Sequence, residues 1–239
     1  MNVEEFREIF IEEADKNNIY IDKKVISKFY TYMIEILEWN NKVNLTSITD
    51  ERMFIVKHFI DSLTINGFIQ DKETIIDIGT GAGFPGIPLK IVNEDKKITV
   101  VDSINKKLNV IRSINNKMNL KNLDIIHSRA EDLARRKEFR ENFDVVTTRA
   151  VSNFSTIIEY MLPFLKVGGI AICMKGPNYE DELRNGKKAI NILGGKLVDI
   201  KKINVDNELT RNIILIKKIK KTPEKFPRGQ GKALKEPIT

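Results

Sequence analysis

The stretch from residue 75 to 91, IIDIGTGAGFPGIPLKI, limits most strongly what this chain can fold into. An apolar run ends near Asp77, four glycines follow within eight residues, and a second apolar run begins. Glycine adopts positive φ and lets the backbone approach a ligand with no Cβ in the way. A strand, a glycine-rich turn and a helix whose free N–H groups point into the same space are typical of a cofactor site in an α/β protein.

The next hundred residues predict a parallel sheet. After the first strand, ETIIDIG, four more β-branched runs alternate with helical stretches: KITVVDS, LDIIHS, FDVVTTRA and GIAICMKG. This alternation predicts right-handed crossovers and a doubly wound sheet, with the ligand crevice at the carboxyl ends of the strands. Ser103 is predicted to cap the helix that begins near Asn105.

Two final runs, KLVDIKKINV and RNIILIKKI, are separated only by DNELT, which is too short for a helical crossover. They predict an antiparallel hairpin that closes a seven-stranded, mostly parallel sheet, as in class I S-adenosylmethionine-dependent methyltransferases. Residues 1–70 show helical periodicity and predict three amphipathic helices, the third beginning after an N-cap at Asp50. We therefore predict an N-terminal helical element (1–70), a methyltransferase domain (71–220) and a basic C-terminal tail (221–239).

Composition excludes several classes of protein. No run of 18 apolar residues occurs, and the first ten residues, MNVEEFREIF, are acidic, so we expect a cytoplasmic protein without a membrane segment. The single cysteine, Cys173, lies in the apolar run IAICM and is predicted to be a buried strand residue. One cysteine and two histidines argue against a zinc site, and we expect no metal.

The charge is unevenly distributed along the chain. The net charge is +7, and residues 196–239 hold 12 Lys and Arg against 5 Asp and Glu, whereas the first 195 residues hold 28 of each. Such an asymmetry predicts an acidic partner, most commonly nucleic acid, although a lysine-rich solvated surface is the alternative. The tail has three prolines and two glycines, and we predict that it is partly mobile and contacts RNA. Lys175, Lys221 and Arg228 are the candidate phosphate contacts, and we expect a monomer.

The acidic residue before the glycine loop helps to choose between two possible cofactors. Residues 81–86, GAGFPG, match the dinucleotide pattern, but a lone match is weak. Asp77 precedes the loop, where its carboxylate would repel a pyrophosphate and attract the ammonium and sulfonium of S-adenosylmethionine. Asp102, at the end of the second strand, suits the ribose hydroxyls of either cofactor. We predict S-adenosylmethionine, bound by Asp77, Gly79, Gly81, Gly83 and Asp102, with a nucleotide-dependent oxidoreductase as the alternative.

Two further loops belong to the predicted site. Ala130 and Glu131 follow the third strand, where we expect the adenine of the cofactor to lie. The alternative is that Glu131 is simply an acidic residue in the first turn of a helix, where the helix dipole favours negative charge. Arg149 follows the fourth strand and should face the reacting methyl, with a surface salt bridge as its alternative.

The residues also exclude some methyl acceptors. The loop TTRAVSNF lacks the Asp/Asn-Pro-Pro-aromatic motif of exocyclic amine methylation, and Cys173 lacks the setting of a nucleophile. A ring nitrogen such as guanine N7 remains as a possible methyl acceptor, because its free lone pair can attack the methyl group without a general base to remove a proton.

Several motifs together resemble one family. They are residues 41–46 (NKVNLT), 57–63 (KHFIDSL), 77–89 (DIGTGAGFPGIPL), 129–131 (RAE), 149–151 (RAV), 175–176 (KG), 221–223 (KTP) and 226–228 (FPR). In this register the chain resembles, over nearly its whole length, the bacterial small-subunit rRNA methyltransferase G family, also called GidB. Thr80 and Thr148 stand where serine is frequent in the family, which is a mild departure.

The resemblance implies a class I methyltransferase that methylates N7 of one guanine in the decoding-region loop of 16S rRNA, alone or within the small ribosomal subunit. Its donor-binding positions fall on Gly79, Phe84, Ala130, Glu131 and Arg149. Arg149 could hold either the guanine or the donor carboxylate. His58 and Asp61 either face the site or form a structural pair. A non-catalytic RNA-binding protein on the same fold is the remaining alternative.

Overall fold

A single seven-stranded sheet lies at the centre of the computed structural model, which describes residues 1–70, 73–149, 153–229 and 231–238. The strands are β1 (Ile75–Ile78), β2 (Ile98–Asp102), β3 (Leu123–His127), β4 (Phe143–Arg149), β5 (Leu165–Lys175), β6 (Gly195–Asn204) and β7 (Thr210–Lys218). Their order is β3-β2-β1-β4-β5-β7-β6. The five strands β1 to β5 are parallel, and β7 pairs antiparallel with both β5 and β6. The predicted fold and its closing hairpin are confirmed.

The predicted helical element is present before the sheet, but its third helix is not regular. α1 (Val3–Lys16) and α2 (Ile26–Asn40) agree with the prediction. The third helix begins as α3 (Glu51–Phe54), continues as a π-helix (Ile55–Ile60) and ends as α4 (Asp61–Leu63). Asp50 caps it as predicted, because its Oδ1 accepts a hydrogen bond from the Met53 N–H. A π-helical turn is uncommon and often occurs at functional sites, and apolar spacing over six residues cannot reveal it.

The helices that cover the sheet follow its strands. They are α5 (Gly86–Val92), α6 (Asn105–Met118), α7 (Ala130–Leu133), α8 (Phe154–Met161) and α9 (Glu180–Ile192). The prediction that Ser103 caps α6 is wrong. Ile104 is the N-cap residue and makes no side-chain cap, while Asp102 Oδ1 accepts a hydrogen bond from its N–H. The carboxylate at the end of β2 thus takes the place of a cap.

Two apolar clusters hold these layers together. One joins the N-terminal helices to α5, α6 and one face of the sheet, and the other lies between the opposite face and helices α8 and α9. Cys173 is buried in the second cluster as predicted, and burial raises the pKa of its thiol to about 12. The domain boundary at residues 70 and 71 stays a prediction, and Asp71 lies outside the described residues.

The C-terminal tail packs on the domain, contrary to the prediction of partial mobility. Phe226 is buried in the second cluster, and Arg140 donates hydrogen bonds to the carbonyl oxygens of Thr222 and Phe226. The tail ends in a short helix, α10 (Lys232–Lys235). In the ranges that the structure describes, no helix is long and apolar enough to cross a membrane.

Candidate functional site

The glycine loop between β1 and α5 is folded around a buried carboxylate. Asp77 Oδ2 accepts hydrogen bonds from Thr80 Oγ1 over 2.6 Å and from the Gly86 N–H over 3.0 Å, and Oδ1 accepts one from Thr147 Oγ1 over 3.1 Å. Asp77 is fully buried, and burial raises its pKa to about 6. Both oxygens are therefore used within the protein. Asp77 thus shapes the loop, and its binding of the donor ammonium stays a prediction.

The loop glycines serve two different purposes. Gly79 and Gly81 have φ of +69° and +58°, and nothing lies within 4 Å of the place where a Cβ on Gly81 would point. In contrast, a Cβ on Gly83 would lie 2.2 Å from the Tyr32 hydroxyl, which donates a hydrogen bond to the Ala82 carbonyl over 2.6 Å. Gly83 was predicted to bind the cofactor, but here it lets an N-terminal helix pack against the back of the loop.

A cavity of about 400 Å³ opens beside Gly79 at the carboxyl ends of β1, β2 and β3. Its lining consists of Ile78, Gly79, Val101, Asp102, Ser103, Ser128, Arg129, Ala130, Glu131 and Tyr160. This volume is within the usual range for small-molecule and cofactor sites. Four of the predicted donor-binding residues, namely Gly79, Asp102, Ala130 and Glu131, thus line one cavity.

Two buried carboxylates, Asp102 and Glu131, line the cavity. Asp102 Oδ2 accepts a hydrogen bond from the Gly81 N–H over 2.8 Å, which ties β2 to the glycine loop. Glu131 Oε1 accepts one from the Gly231 N–H over 3.2 Å. A carboxylate has about four lone-pair positions, so both groups keep acceptor capacity for the hydroxyls or amino group of a nucleoside.

Arg149 does not line this cavity but lies in a charged cluster with the N-terminal helices. Its guanidinium donates hydrogen bonds to Asp61 Oδ2 over 2.9 Å and to the Lys57 carbonyl oxygen over 3.0 Å. Arg211, on β7, donates to both oxygens of the same carboxylate, over 2.7 and 3.0 Å. Asp61 is fully buried and Arg149 is nearly so, so this is not a surface salt bridge. Two guanidiniums share one carboxylate, a charge of +1 within this hydrogen-bonded set, and the Asp77 carboxylate also acts electrostatically on Arg149.

His58 completes this cluster as a neutral imidazole. Its Nδ1 accepts a hydrogen bond from Arg149 over 3.1 Å, because a guanidinium can only donate, and its Nε2 therefore donates to Thr46 Oγ1 over 2.8 Å. Burial and the two nearby guanidiniums lower the pKa of His58 to about 3. Its ring stacks on Phe84 with centroids 4.4 Å apart, and the Arg149 guanidinium lies 5.0 Å from the same phenyl ring. His58 and Asp61 both contact Arg149, and whether they face the bound substrates stays a prediction.

The three candidate RNA contacts have different surroundings. Lys175 forms an ion pair with Glu182 over 2.7 Å, and Lys221 is exposed. Arg228 donates to both carboxylate oxygens of Glu159, which is fully buried. Glu159 takes up the Nε and Nη2 donors of this guanidinium, and a phosphate contact by Arg228 stays a prediction. Ala150 and Val151, part of a family motif, lie outside the described residues.

Sequence reasoning missed Arg211 and Tyr160. Arg211 is one of many cations in the last two strands, and its partner Asp61 lies 150 residues away along the chain. Tyr160 lies in an apolar helix that also contains Phe154. Neither position carries a local pattern that marks it.

The comparison with known proteins identifies the family. The family profile described as GidB, rRNA small subunit methyltransferase G, matches residues 25–214. This chain belongs to the GidB family.

The family assignment is supported by GidB relatives that match almost from end to end. The ribosomal RNA small subunit methyltransferase G of Clostridium botulinum Eklund 17B is 45% identical over 238 residues, which cover 98% of this chain and 99% of the relative. The protein of the same description from Acetivibrio thermocellus is 44% identical and covers 98% and 97% of the two chains. The resemblance drawn from the sequence motifs is therefore confirmed.

Solved structures agree with this GidB assignment at the level of the fold. A structure described as a SAM-dependent methyltransferase from Aquifex aeolicus superposes with a TM-score of 0.51 at 16% identity, covering 69% of this chain and 92% of the other. TrmN from Thermus thermophilus gives a TM-score of 0.54 at 12% identity, covering 69% and 53%. The oxidoreductase alternative is not favoured by these findings.

Proposed function

We propose that this chain transfers a methyl group from S-adenosylmethionine to N7 of a guanine in the decoding-region loop of 16S rRNA. The observation that carries the proposal is the cavity at the ends of β1 to β3 in a member of the GidB family, together with the charged cluster of Arg149 at the end of β4, the strand that pairs with β1. The cavity has the size of a nucleoside and would hold the donor, and the guanidinium would attract a second, electron-rich group.

The residues around the cavity suit this donor. Asp102 would accept hydrogen bonds from the ribose hydroxyls, and Ala130 and Glu131 would meet the polar edge of the adenine. Ile78, Val101 and Tyr160 supply apolar surface for the ring. When bound, S-adenosylmethionine supplies an electrophilic methyl group on its sulfonium. Bringing that methyl and a nucleophile together is worth roughly 7–11 kcal/mol when the two are well oriented.

The state of His58 supports an acceptor that needs no general base. Both ring nitrogens are engaged, with Arg149 and Thr46, and a pKa of about 3 makes the imidazole a poor proton acceptor at neutral pH. Guanine N7 already carries a free lone pair, so its methylation requires no proton removal. The chain would act by orientation and by placing positive charge.

The excess charge of the Arg149 cluster gives that residue its proposed role. The guanidinium keeps one side toward Phe84 and could meet either the O6 and N7 edge of guanine or the carboxylate of the donor. Both groups are electron-rich, and both would be attracted by two guanidiniums that share one carboxylate.

We further propose that the protein works as a monomer in the cytoplasm, on naked 16S rRNA or on the small ribosomal subunit. Lys221 is exposed and remains the strongest candidate for a phosphate contact in the tail. Lys175 remains a weaker candidate because it already pairs with Glu182.

Two measurements test the proposed function. Saturable binding of S-adenosylhomocysteine and no binding of NADH is expected in calorimetry, and the reverse pattern would support the oxidoreductase. Nucleoside mass spectrometry of 16S rRNA from cells with and without the gene should show loss of one 7-methylguanosine. Unchanged modification would favour a non-catalytic RNA-binding protein.

A further inference from the structure

The last part of the chain, residues 222–229 and 231–236, lies against the wall of the cavity rather than apart from it. We call these residues the C-terminal segment. Arg135, which follows α7, donates two hydrogen bonds to the Pro227 carbonyl oxygen, over 2.8 and 3.2 Å. Arg140 binds three further carbonyl oxygens of the segment, those of Thr222, Pro223 and Phe226. The stretch that contains α7 is therefore fastened to the C-terminal segment.

A second attachment joins the segment to α8. Arg228 donates from Nε and Nη2 to both carboxylate oxygens of Glu159, and its backbone N–H donates to Oε1 over 2.7 Å. Glu159 is fully buried and directly precedes Tyr160, which lines the cavity. Thr156 Oγ1, one turn earlier on α8, donates to the Ala233 carbonyl oxygen over 2.9 Å. A buried carboxylate that loses its partner is strongly unfavourable, so this attachment resists opening.

The third attachment reaches a cavity residue itself. The Gly231 N–H donates to Glu131 Oε1 over 3.2 Å, and Glu131 is 4% exposed. Ala130 and Glu131 on α7 and Tyr160 on α8 form one side of the cavity. The segment thus contacts both of these helices. It also holds Glu131, one of the two carboxylates that would accept hydrogen bonds from the donor.

We propose that the C-terminal segment is a positioning element of the donor site. It fixes α7, α8 and the Glu131 carboxylate in the arrangement that receives the donor, and Arg228 is its principal anchor. The inference rests on the proposed donor cavity and adds a role for Arg228, Gly231 and Arg135. Pre-ordering a binding wall lowers the cost of binding. Because coupling between sites is reciprocal, donor binding must then stabilise the docked segment by the same factor.

Hydrogen–deuterium exchange of the full chain, with and without S-adenosylhomocysteine, tests this coupling. We expect the amides of the C-terminal segment to exchange at least about fivefold more slowly when the ligand is bound, since fivefold is the lower end of typical couplings between sites. The amides around Gly79 and Asp102 should be protected as well. Protection around Gly79 and Asp102 with unchanged exchange in the segment would overturn the inference. Protection nowhere, with no binding heat, would overturn the proposed donor site and this inference with it.

Matched substitutions provide a second test. Arg228→Ala should weaken S-adenosylhomocysteine binding about tenfold and raise the KM for the donor more than the KM for RNA, and Arg228→Lys should partly restore both. Lys235→Ala removes the same charge from an exposed position of the segment and should leave donor affinity unchanged. Equal affinities of the Arg228→Ala and Lys235→Ala variants would contradict the proposal. If Arg228→Ala does not fold, the pair Glu159→Gln with Arg228→Met removes both charges without leaving a buried ion unpaired.

Discussion

At the scale of single residues, Asp61 is the group on which the charged cluster depends. Its carboxylate is fully buried and is shared by Arg149 and Arg211, which come from strands far apart in the chain. Without this carboxylate, two guanidiniums would face each other, and the neutral imidazole of His58 could not offset their positive charge. The cluster therefore tolerates the loss of one cation better than the loss of its single anion.

Arg149→Ala should abolish methyl transfer and leave the fold intact, because Asp61 keeps both hydrogen bonds to Arg211. Asp61→Asn should instead destabilise the protein by about 3–5 kcal/mol, the usual cost of breaking a buried pair. Methylation assays and denaturant unfolding of the two variants check this contrast. A fully active Arg149→Ala variant would remove Arg149 from the site.

His58 should make the stability of the protein depend on pH. The folded protein leaves His58 neutral down to a pKa of about 3, whereas the unfolded chain takes up that proton near 6.5. Between these values the unfolded state binds more protons, so the contribution of His58 to the free energy of unfolding falls as pH falls from about 6.5 toward 3.

The slope from this one group is up to about 1.4 kcal/mol per pH unit. Asp77, whose pKa is raised to about 6, acts in the opposite direction, so wild type must be compared with His58→Asn. Unfolding measured from pH 7 to pH 4 should show a shallower loss of stability in the variant. Identical slopes would show that His58 is not held neutral.

At the scale of secondary-structure elements, the glycine loop connects the N-terminal helices to the sheet. Phe84 is 4% exposed and packs with His58 and with the aromatic residues Tyr32, Phe54 and Phe59 of α2 and the third helix. The Tyr32 hydroxyl binds the loop backbone at Ala82. The helices that precede the sheet thus set the position of the loop that borders the cavity.

Gly83→Ala should be more destabilising than the about 1–2 kcal/mol expected from its positive φ alone, because a Cβ there would collide with the Tyr32 hydroxyl and with Ile87 Cγ1. Tyr32→Phe removes the first of these contacts, so part of the penalty of Gly83→Ala should disappear in the double variant. Gly81→Ala is the matched control, since it has positive φ but open space. A double-mutant cycle of unfolding free energies measures the coupling. No coupling between Gly83 and Tyr32 would contradict the packing described.

Much of the fold could be predicted because its signals are local. Alternating β-branched and helical runs marked the first five strands, and two further runs joined by the short DNELT connection predicted the closing hairpin. Gly79, Asp102, Ala130 and Glu131 follow strands, so they could be assigned to one crevice in advance. The hydrogen bonds of Asp77 to Thr80, Gly86 and Thr147 could not be predicted, because the sequence shows its charge but not its partners. Long-range partners also explain why Arg211 and the docking of Arg228 were missed.

At the scale of the whole molecule, the positive excess of the C-terminal part is partly used internally. Arg228 and Arg211 pair with buried carboxylates, and Lys218 is fully buried, where desolvation lowers its pKa to about 8. A count of charges in the sequence therefore overstates the number available to RNA. Removing the tail would also take Phe226 out of the second apolar cluster and leave the buried Glu159 without Arg228, so a truncation cannot isolate RNA contacts.

A single exposed lysine tests the RNA surface more cleanly. Lys221→Ala should weaken rRNA binding and reduce the slope of log affinity against log salt by about 0.7–0.9, as expected when one phosphate contact is lost. Lys24→Ala, on the surface of the N-terminal element, should leave the slope unchanged. Filter binding over a range of salt concentrations measures both. Equal slopes for wild type and Lys221→Ala would show that Lys221 is not a phosphate contact.

The central claim is that this chain methylates one guanine of 16S rRNA at N7, and transfer of a labelled methyl group tests it most directly. The purified protein would be incubated with labelled S-adenosylmethionine and either naked 16S rRNA or small ribosomal subunits, with the product identified by nucleoside mass spectrometry and mapped by primer extension. We expect a single 7-methylguanosine in the decoding-region loop with at least one of the two substrates. Transfer to neither substrate, or to a different atom or loop, would contradict the account.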